Sequence, residues 1–237
     1  MSARRRPDYG VDAPGVVRAF GVAAGAGFAL AIVGIAVDLR WLFWAGFGIF
    51  AYFGVLTGLH LRYSRVSKLR ERARVLDAAR LDGQETVLDV GCGRGLLLVE
   101  AARRLPDGRA VGVDIWSLVD QSRNEPAAPL ENARVENVGP VAVSTADARD
   151  LPFAGESFDA VVSQFALHNI RSGEGRREAI REIDRVLRRG GRLVLLDLAR
   201  THEYAAQLRD AGWDDLVRSG RTWRLFPPAR YVSGTKP

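Results

Sequence analysis

Three glycines on alternate positions, Gly91, Gly93 and Gly95, follow Asp89 in the stretch VLDVGCGRG. Glycine at this density lets the backbone turn sharply and approach a ligand closely. Two commoner glycine loops fail on spacing. The dinucleotide fingerprint G-x-G-x-x-G, read from Gly91, needs glycine where Leu96 stands, and no P-loop Gly-Lys-Ser/Thr ending follows. A carboxylate at Asp89 would also sit badly beside a pyrophosphate. Cys92, the single cysteine, lies inside the turn. It cannot form an internal disulfide, fits a reduced compartment, and reads as a small buried thiol rather than a nucleophile.

Further chemistry-bearing residues recur after apolar runs. Asp114 ends AVGVDIW, Asp147 sits in STADARDLPF, and Ser163, Gln164, His168 and Asn169 fall in FDAVVSQFALHNI. His168 is the candidate catalytic base, imidazole being the usual side chain for proton transfer near neutral pH; a structural hydrogen bond is its alternative. The elements that must position these residues are legible. Apolar runs at 86–90, 110–115, 141–144, 158–165 and 192–198 read as buried parallel strands. Helical stretches at 95–105, about 128–137, 174–189 and 201–211 separate them. That alternation predicts a doubly wound α/β sheet whose ligands lie beyond the carboxyl ends of the strands.

The Asp-x-Gly-x-Gly-x-Gly turn and the segments in this order resemble the class I S-adenosylmethionine-dependent methyltransferases over about residues 83–200. The resemblance implies a mostly parallel seven-stranded Rossmann-like sheet with its last strand antiparallel, and S-adenosylmethionine as cofactor. It places Asp89 with the cofactor's ammonium group and Gly91, Cys92, Gly93 and Gly95 around its methionine and ribose. Asp114 would hold the ribose hydroxyls, Ile115 the adenine face, Asp147 and Ala148 the adenine edge, and Ser163 and Gln164 the methionine end. On the acceptor side Asn169, Tyr204 and Phe226 are candidates, with Trp223 and Leu225 as further parts of an apolar lip or of ordinary hairpin packing. No metal is expected. Residues 116–130, which carry Pro126 and Pro129, delay the helix that usually follows the second strand; they are a lid, a substrate wall or a plain surface insertion.

The chain has 237 residues and a net charge of +6. Residues 1–80 hold 12 basic against 5 acidic residues, while the remainder is close to neutral. A basic N-terminal third argues against nucleic acid as the partner of the whole chain. That third contains two nearly charge-free stretches, about 16–37 and 41–61, each long enough to cross a bilayer. A signal peptide would be shorter and would not be followed at once by a second span. Arg4, Arg5 and Arg6 before the first stretch, and Arg62, Arg65, Lys68, Arg70, Arg72 and Arg74 after the second, place both ends in the cytoplasm. The glycines of Gly21-x-x-x-Gly25 and Gly54-x-x-x-Gly58 would pack the hairpin or a homo-oligomer. His60 falls at the membrane interface. Residues 62–80 read as a basic amphipathic helix with Val66, Leu69, Ala73 and Leu76 on its apolar side, and residues 81–237 as the methyltransferase domain. The expected protein is a two-span enzyme of the cell membrane, its catalytic domain on anionic headgroups of the inner leaflet. Its acceptor would be a hydrophobic small molecule or lipid. Methylation of a membrane-protein side chain and a non-catalytic cofactor-binding scaffold are the alternatives.

Overall fold

The computed structural model describes residues 6–237; Arg4 and Arg5 lie outside the described residues. Two long helices open the chain, α1 (Pro14–Ala36) and α2 (Arg40–Arg62), joined by a tight turn. Both are long and apolar enough to cross a membrane. At 23 residues each they span about 34 Å, near the thickness of a hydrocarbon core. Few of their side chains are buried: Val22, Phe28, Ile35, Trp41, Trp44, Tyr52 and Val55 all lie exposed. The helices meet through Gly27, Gly34 and Gly46. A Cβ on Gly27 would lie 2.5 Å from the Phe50 nitrogen, and one on Gly46 would collide with the Ala31 backbone. Gly21, Gly25, Gly54 and Gly58 have no such neighbours, so the expected glycine pairs do not pack the hairpin. The small residues that matter are spaced seven apart on α1, two helical turns, which keeps them on one face.

Helix α2 runs without a break through a π-helical turn at Tyr63–Ser67 into α3 (Lys68–Ala79). The buried face of α3 carries Lys68, Glu71, Val75, Leu76 and Ala79, while Leu69 stays exposed. This face is rotated from the predicted apolar stripe because its polar members find partners inside. Glu71 accepts from the Tyr231 hydroxyl at 2.6 Å and pairs with Arg74. Arg72 pairs with Glu100 and Glu136. Lys68 and Arg72 therefore serve the domain, while Arg62, Arg65 and Arg70 stay exposed.

The rest is one seven-stranded sheet in the order β3-β2-β1-β4-β5-β7-β6. Its strands are β1 (Thr86–Val90), β2 (Arg109–Asp114), β3 (Val141–Thr145), β4 (Phe158–Gln164), β5 (Leu187–Asp197), β6 (Val217–Arg218) and β7 (Arg230–Thr235). The first five run parallel, and β7 is antiparallel to both of its neighbours. Helices α4 (Leu96–Arg104), α5 (Ala127–Val135), α6 (Gly173–Val186) and α7 (Thr201–Asp210) cover the faces. The architecture is the one expected, and most boundaries fall within one or two residues; the largest difference is that α6 stops at Val186 and β5 begins at Leu187. Leu187 is fully buried against the core, and its pairing with Phe158 starts the strand early, with a register irregularity before Ala160. One core layer packs α6 and α7 against the sheet through Ile180, Ile183 and Leu208. The other packs α3 and α4 through Leu76, Leu97 and Ala101.

Candidate active site

Strand order reverses between β1 and β4, and the cavity opens there, at the carboxyl ends of the strands. Its volume is about 840 Å³. Asp89, Gly91, Cys92, Gly93, Asp114, Ile115, Asp147, Ala148, Gln164, His168 and Asn169 all line it. Positive φ at Gly91 (73°), Gly93 (50°) and Gly95 (83°) makes the turn, a region that side-chain-bearing residues enter at a cost. Gly91 cannot carry a Cβ, which would collide with Ala166. The cradle is therefore left open by the absence of side chains.

Asp89 is 2% exposed and accepts one hydrogen bond, from the Leu98 backbone nitrogen at 2.9 Å. Burial pushes its carboxyl up to about 8, so a cation arriving beside it would restore the ionised form. Asp114 accepts from the Gly93 nitrogen at 2.8 Å, the Trp116 nitrogen at 2.6 Å and Asn124 at 3.1 Å. Asp147 is clasped by Arg149 at 2.6 Å, whose guanidinium holds its carboxyl below the ordinary range. Burial raises the Cys92 thiol well above its usual value, which leaves a small apolar wall residue and no nucleophile.

Some expected site residues lie elsewhere. Gly95 does not line the cavity; it starts α4 in the left-handed conformation against Pro129. Ser163 is buried and donates to the Val90 carbonyl at 2.7 Å, tying β4 to β1. Tyr204 is in the core, 1% exposed. Phe226 packs into the second core layer, its ring 6.4 Å from His60; Pro227 reaches the cavity in its place. Trp223 is exposed and Leu225 buried, and neither lines the cavity, which leaves hairpin packing as the reading of this stretch. The 116–130 segment is a wall: Val119, Asp120, Gln121 and Asn124 all border the cavity.

Two parts of the site escaped the sequence reading. The first is Asp197, at the end of β5. It is buried, and one carboxylate oxygen lies 2.5 Å from His168 Nδ1. The other accepts from the His168 backbone nitrogen at 3.0 Å and the Tyr204 hydroxyl at 3.3 Å. The carboxylate lies beside the imidazole, although Nδ1 itself has no partner in hydrogen-bond geometry, and it anchors the backbone that carries His168. The signal was available, since Asp197 ends a strand just as Asp89 and Asp114 do. The second is a strap formed by residues 8–13, which crosses the mouth of the cavity. Asp12 bridges to Gln121, and Arg94, inside the glycine turn, donates to the Asp8 carbonyl at 2.6 Å. Lys68 is 1% exposed and donates to the Tyr9 carbonyl at 2.7 Å, the Gly10 carbonyl at 3.0 Å and the Asp12 carboxylate at 3.1 Å. No sequence motif announces such a strap.

Residues 88–195 match the family described as methyltransferase domain. An S-adenosylmethionine-dependent methyltransferase from Aquifex aeolicus superposes with a TM-score of 0.55 at 18% identity, over 72% of this chain and 92% of that one. The chain has the class I methyltransferase fold. The Aquifex aeolicus protein is named for S-adenosylmethionine, and the buried Asp89 beside the glycine turn fits the cationic methionine end of this cofactor. A demethylmenaquinone methyltransferase of Roseiflexus castenholzii is 40% identical over 118 residues, covering 49% of this chain and 44% of that protein. The O-methyltransferase resE of Aspergillus sclerotiorum is 39% identical over 113 residues, covering 47% of this chain and 39% of that protein. The chain thus spans less than half the length of these curated relatives.

Proposed function

We propose that the protein is a membrane-anchored methyltransferase acting on a small hydrophobic or lipid-like acceptor at the cytoplasmic face of the membrane. The observation that carries this reading is the His168–Asp197 pair, set in the wall of the same cavity as Asp89, Asp114 and Asp147. S-adenosylmethionine, when bound, supplies a methyl group activated by the sulfonium. Asp89 would hold its ammonium group, Asp114 its ribose and Asp147 its adenine. The chain's remaining task is to align an acceptor and take its proton.

His168 performs the second part. With Asp197 beside the ring, the imidazole accepts the proton from an acceptor hydroxyl, or from a ring carbon, as that atom bonds to the methyl carbon. The carbon–sulfur bond breaks with its electron pair left on sulfur. Asp197 stabilises the imidazolium that results. Glycine turn, strap and 116–130 wall together restrict water at the transfer point. The exposed apolar surface of α1 and α2 supports a bilayer location, and the names of the quinone-modifying relatives support an aromatic, lipid-soluble acceptor.

The test uses detergent-purified protein, methyl-tritiated S-adenosylmethionine and a total lipid extract. Label is expected in the organic phase. Asp197→Asn is expected to lower kcat by about 100-fold or more while cofactor affinity stays unchanged. Intact cofactor binding with no label in the organic phase would overturn the acceptor class, and unaltered kcat in Asp197→Asn would overturn the assignment of the base.

A further inference from the structure

The cavity does not end at the cofactor residues. It continues to the domain-side ends of both apolar helices, where Ala13, Gly15 and Val16 of the α1 entrance and His60 and Tyr63 of the α2 exit form its wall. Its rim is apolar and exposed. Val16 is 43% exposed, Ile115 61% and Val119 80%, and all three border the opening. Exposed apolar rim residues joined to an exposed apolar hairpin form one continuous surface, as expected of a route between lipid and site. Arg18, Arg62 and Arg65 are exposed at the same level of the hairpin, where anionic headgroups would meet them.

Among the described residues that line the cavity, four buried polar atoms have no hydrogen-bond partner: the Tyr63 hydroxyl, Asn124 Oδ1, Gln164 Oε1 and His168 Nδ1. Asp12 and Gln164 face the Tyr63 hydroxyl, yet neither it nor the Gln164 amide oxygen completes a hydrogen bond in good geometry. Buried orphans of this kind are rare in folded proteins and mark a place where a ligand atom belongs. One is a hydroxyl, able to donate or accept; the other is an amide oxygen, able to accept from a hydroxyl. A group carrying oxygen atoms answers both. At about 840 Å³ the cavity lies toward the large end of the roughly 300–1,000 Å³ range of small-molecule pockets, which leaves room for a compact ring beside the cofactor.

We infer that the α1–α2 base is a lateral port through which a hydrocarbon-tailed aromatic acceptor enters from the inner leaflet. Its oxygen-bearing head reaches Tyr63 and Gln164 while its tail leaves past Val16 and Val119 into the bilayer. This inference rests on the membrane-acceptor reading above and adds the route, the head-binding residues and the requirement for a tail. Tyr63 recognises the head, and Val16 sets the width of the opening.

The experiment uses the full chain in lipid nanodiscs with two probes, a 1,4-naphthoquinol bearing an isoprenoid tail with a diazirine near the ring, and the same quinol without a tail. Photolysis of the tailed probe is expected to label residues 13–16 and 59–63. Val16→Trp is expected to abolish that label and to raise KM for the tailed quinol by about tenfold through overfilling of the port. It should leave KM for the tail-less quinol and the cofactor Kd unchanged. Tyr63→Phe should raise KM for both quinols by about five- to tenfold, the worth of one hydrogen bond. Labelling confined to the outer surface of the hairpin, or equal KM effects of Val16→Trp on the two quinols, would overturn the port. Port labelling without methyl transfer to either probe would leave the port standing and remove the reading of the acceptor. Methyl transfer to the tailed probe that Val16→Trp does not change would do the reverse.

Discussion

Asp89 is a carboxyl that the apo fold holds at a cost, and removing its charge should separate stability from binding. Its carboxyl is raised from 3.8 to about 8 by burial, against which it has only the Leu98 nitrogen. An acid raised on folding contributes its full stability at low pH and loses it as pH climbs from the unfolded value to the folded one. For Asp89 that window runs from about 4 to about 8. At pH 7 the loss comes to about 4 kcal/mol, and above pH 8 to about 6 kcal/mol, as upper figures for a wholly buried group. Asp89→Asn keeps the shape and the bond from Leu98 and carries no such penalty. Cofactor-free Asp89→Asn protein should therefore gain stability over wild type by a few kcal/mol between pH 6 and pH 9, measured by urea denaturation at several pH values. Cofactor affinity should move the other way, falling by about 100- to 1,000-fold for loss of a buried charge partner. Calorimetry of wild-type binding at pH 7 in two buffers of different ionisation enthalpy should show close to one proton released. Parallel stability profiles for the two proteins, or binding without proton release, would refute the reasoning.

Other outcomes follow from the same geometry. Gly91→Ala, which would drive a Cβ into Ala166 from a φ of 73°, should cost about 2 kcal/mol or more of stability and lower cofactor affinity, read by thermal denaturation and calorimetry. Lys68→Met removes the ammonium from the Asp12 carboxylate and from two strap carbonyls, leaving Gln121 as the remaining donor to Asp12 and Tyr9. It should cost on the order of 3 kcal/mol, with amide exchange accelerated at residues 9–13 before the sheet is affected. Gly46→Val should splay α1 from α2, lowering the detergent-solubilised melting temperature of the hairpin while cofactor affinity is retained.

The sheet and the cofactor side of the site were legible because both depend on local rules. A buried parallel strand must be an apolar run, and a residue that meets a ligand lies at or beyond its end, so the resemblance to a known family could place Asp89, Asp114 and Asp147 along the chain; all three line the cavity. Asp197 obeys the same rule and was missed only because its partner, His168, comes from another strand; sequence spacing does not reveal that β4 and β5 are neighbours. The glycines of the hairpin show a different limit. Gly21-x-x-x-Gly25 and Gly54-x-x-x-Gly58 have the familiar spacing, yet which face of a helix meets its partner is decided by the turn at Val37–Leu39, and that turn selects Gly27, Gly34 and Gly46. Lys68 and Arg72 looked like headgroup contacts for the same reason. Their charge was visible in the sequence, and their buried acidic and carbonyl partners, tens of residues away, were not.

Helix α2, continuous with α3, also grips the strap, which ties the apolar hairpin to the site. His60, Ser64 and Lys68 recur at four-residue steps, and each holds a different part of Asp12. His60 Nε2 lies 3.1 Å from its carbonyl oxygen, Ser64 Oγ accepts from its nitrogen at 3.3 Å, and Lys68 donates to its carboxylate at 3.1 Å. Asp12 in turn accepts from Gln121 at 3.0 Å, whose own amide oxygen takes the Arg94 nitrogen at 2.9 Å. Glycine turn, 116–130 wall, strap and α2–α3 are thus consecutive links in one chain of buried polar contacts. The π-helical turn at Tyr63–Ser67 sits in the middle of it, a conformation often found at functional positions. It places Tyr63 in the cavity while Ser64 and Lys68 keep their hold on Asp12. A tilt of α2 relative to the sheet would stretch these contacts. The orientation of the apolar hairpin and the shape of the cavity mouth are therefore a single structural variable.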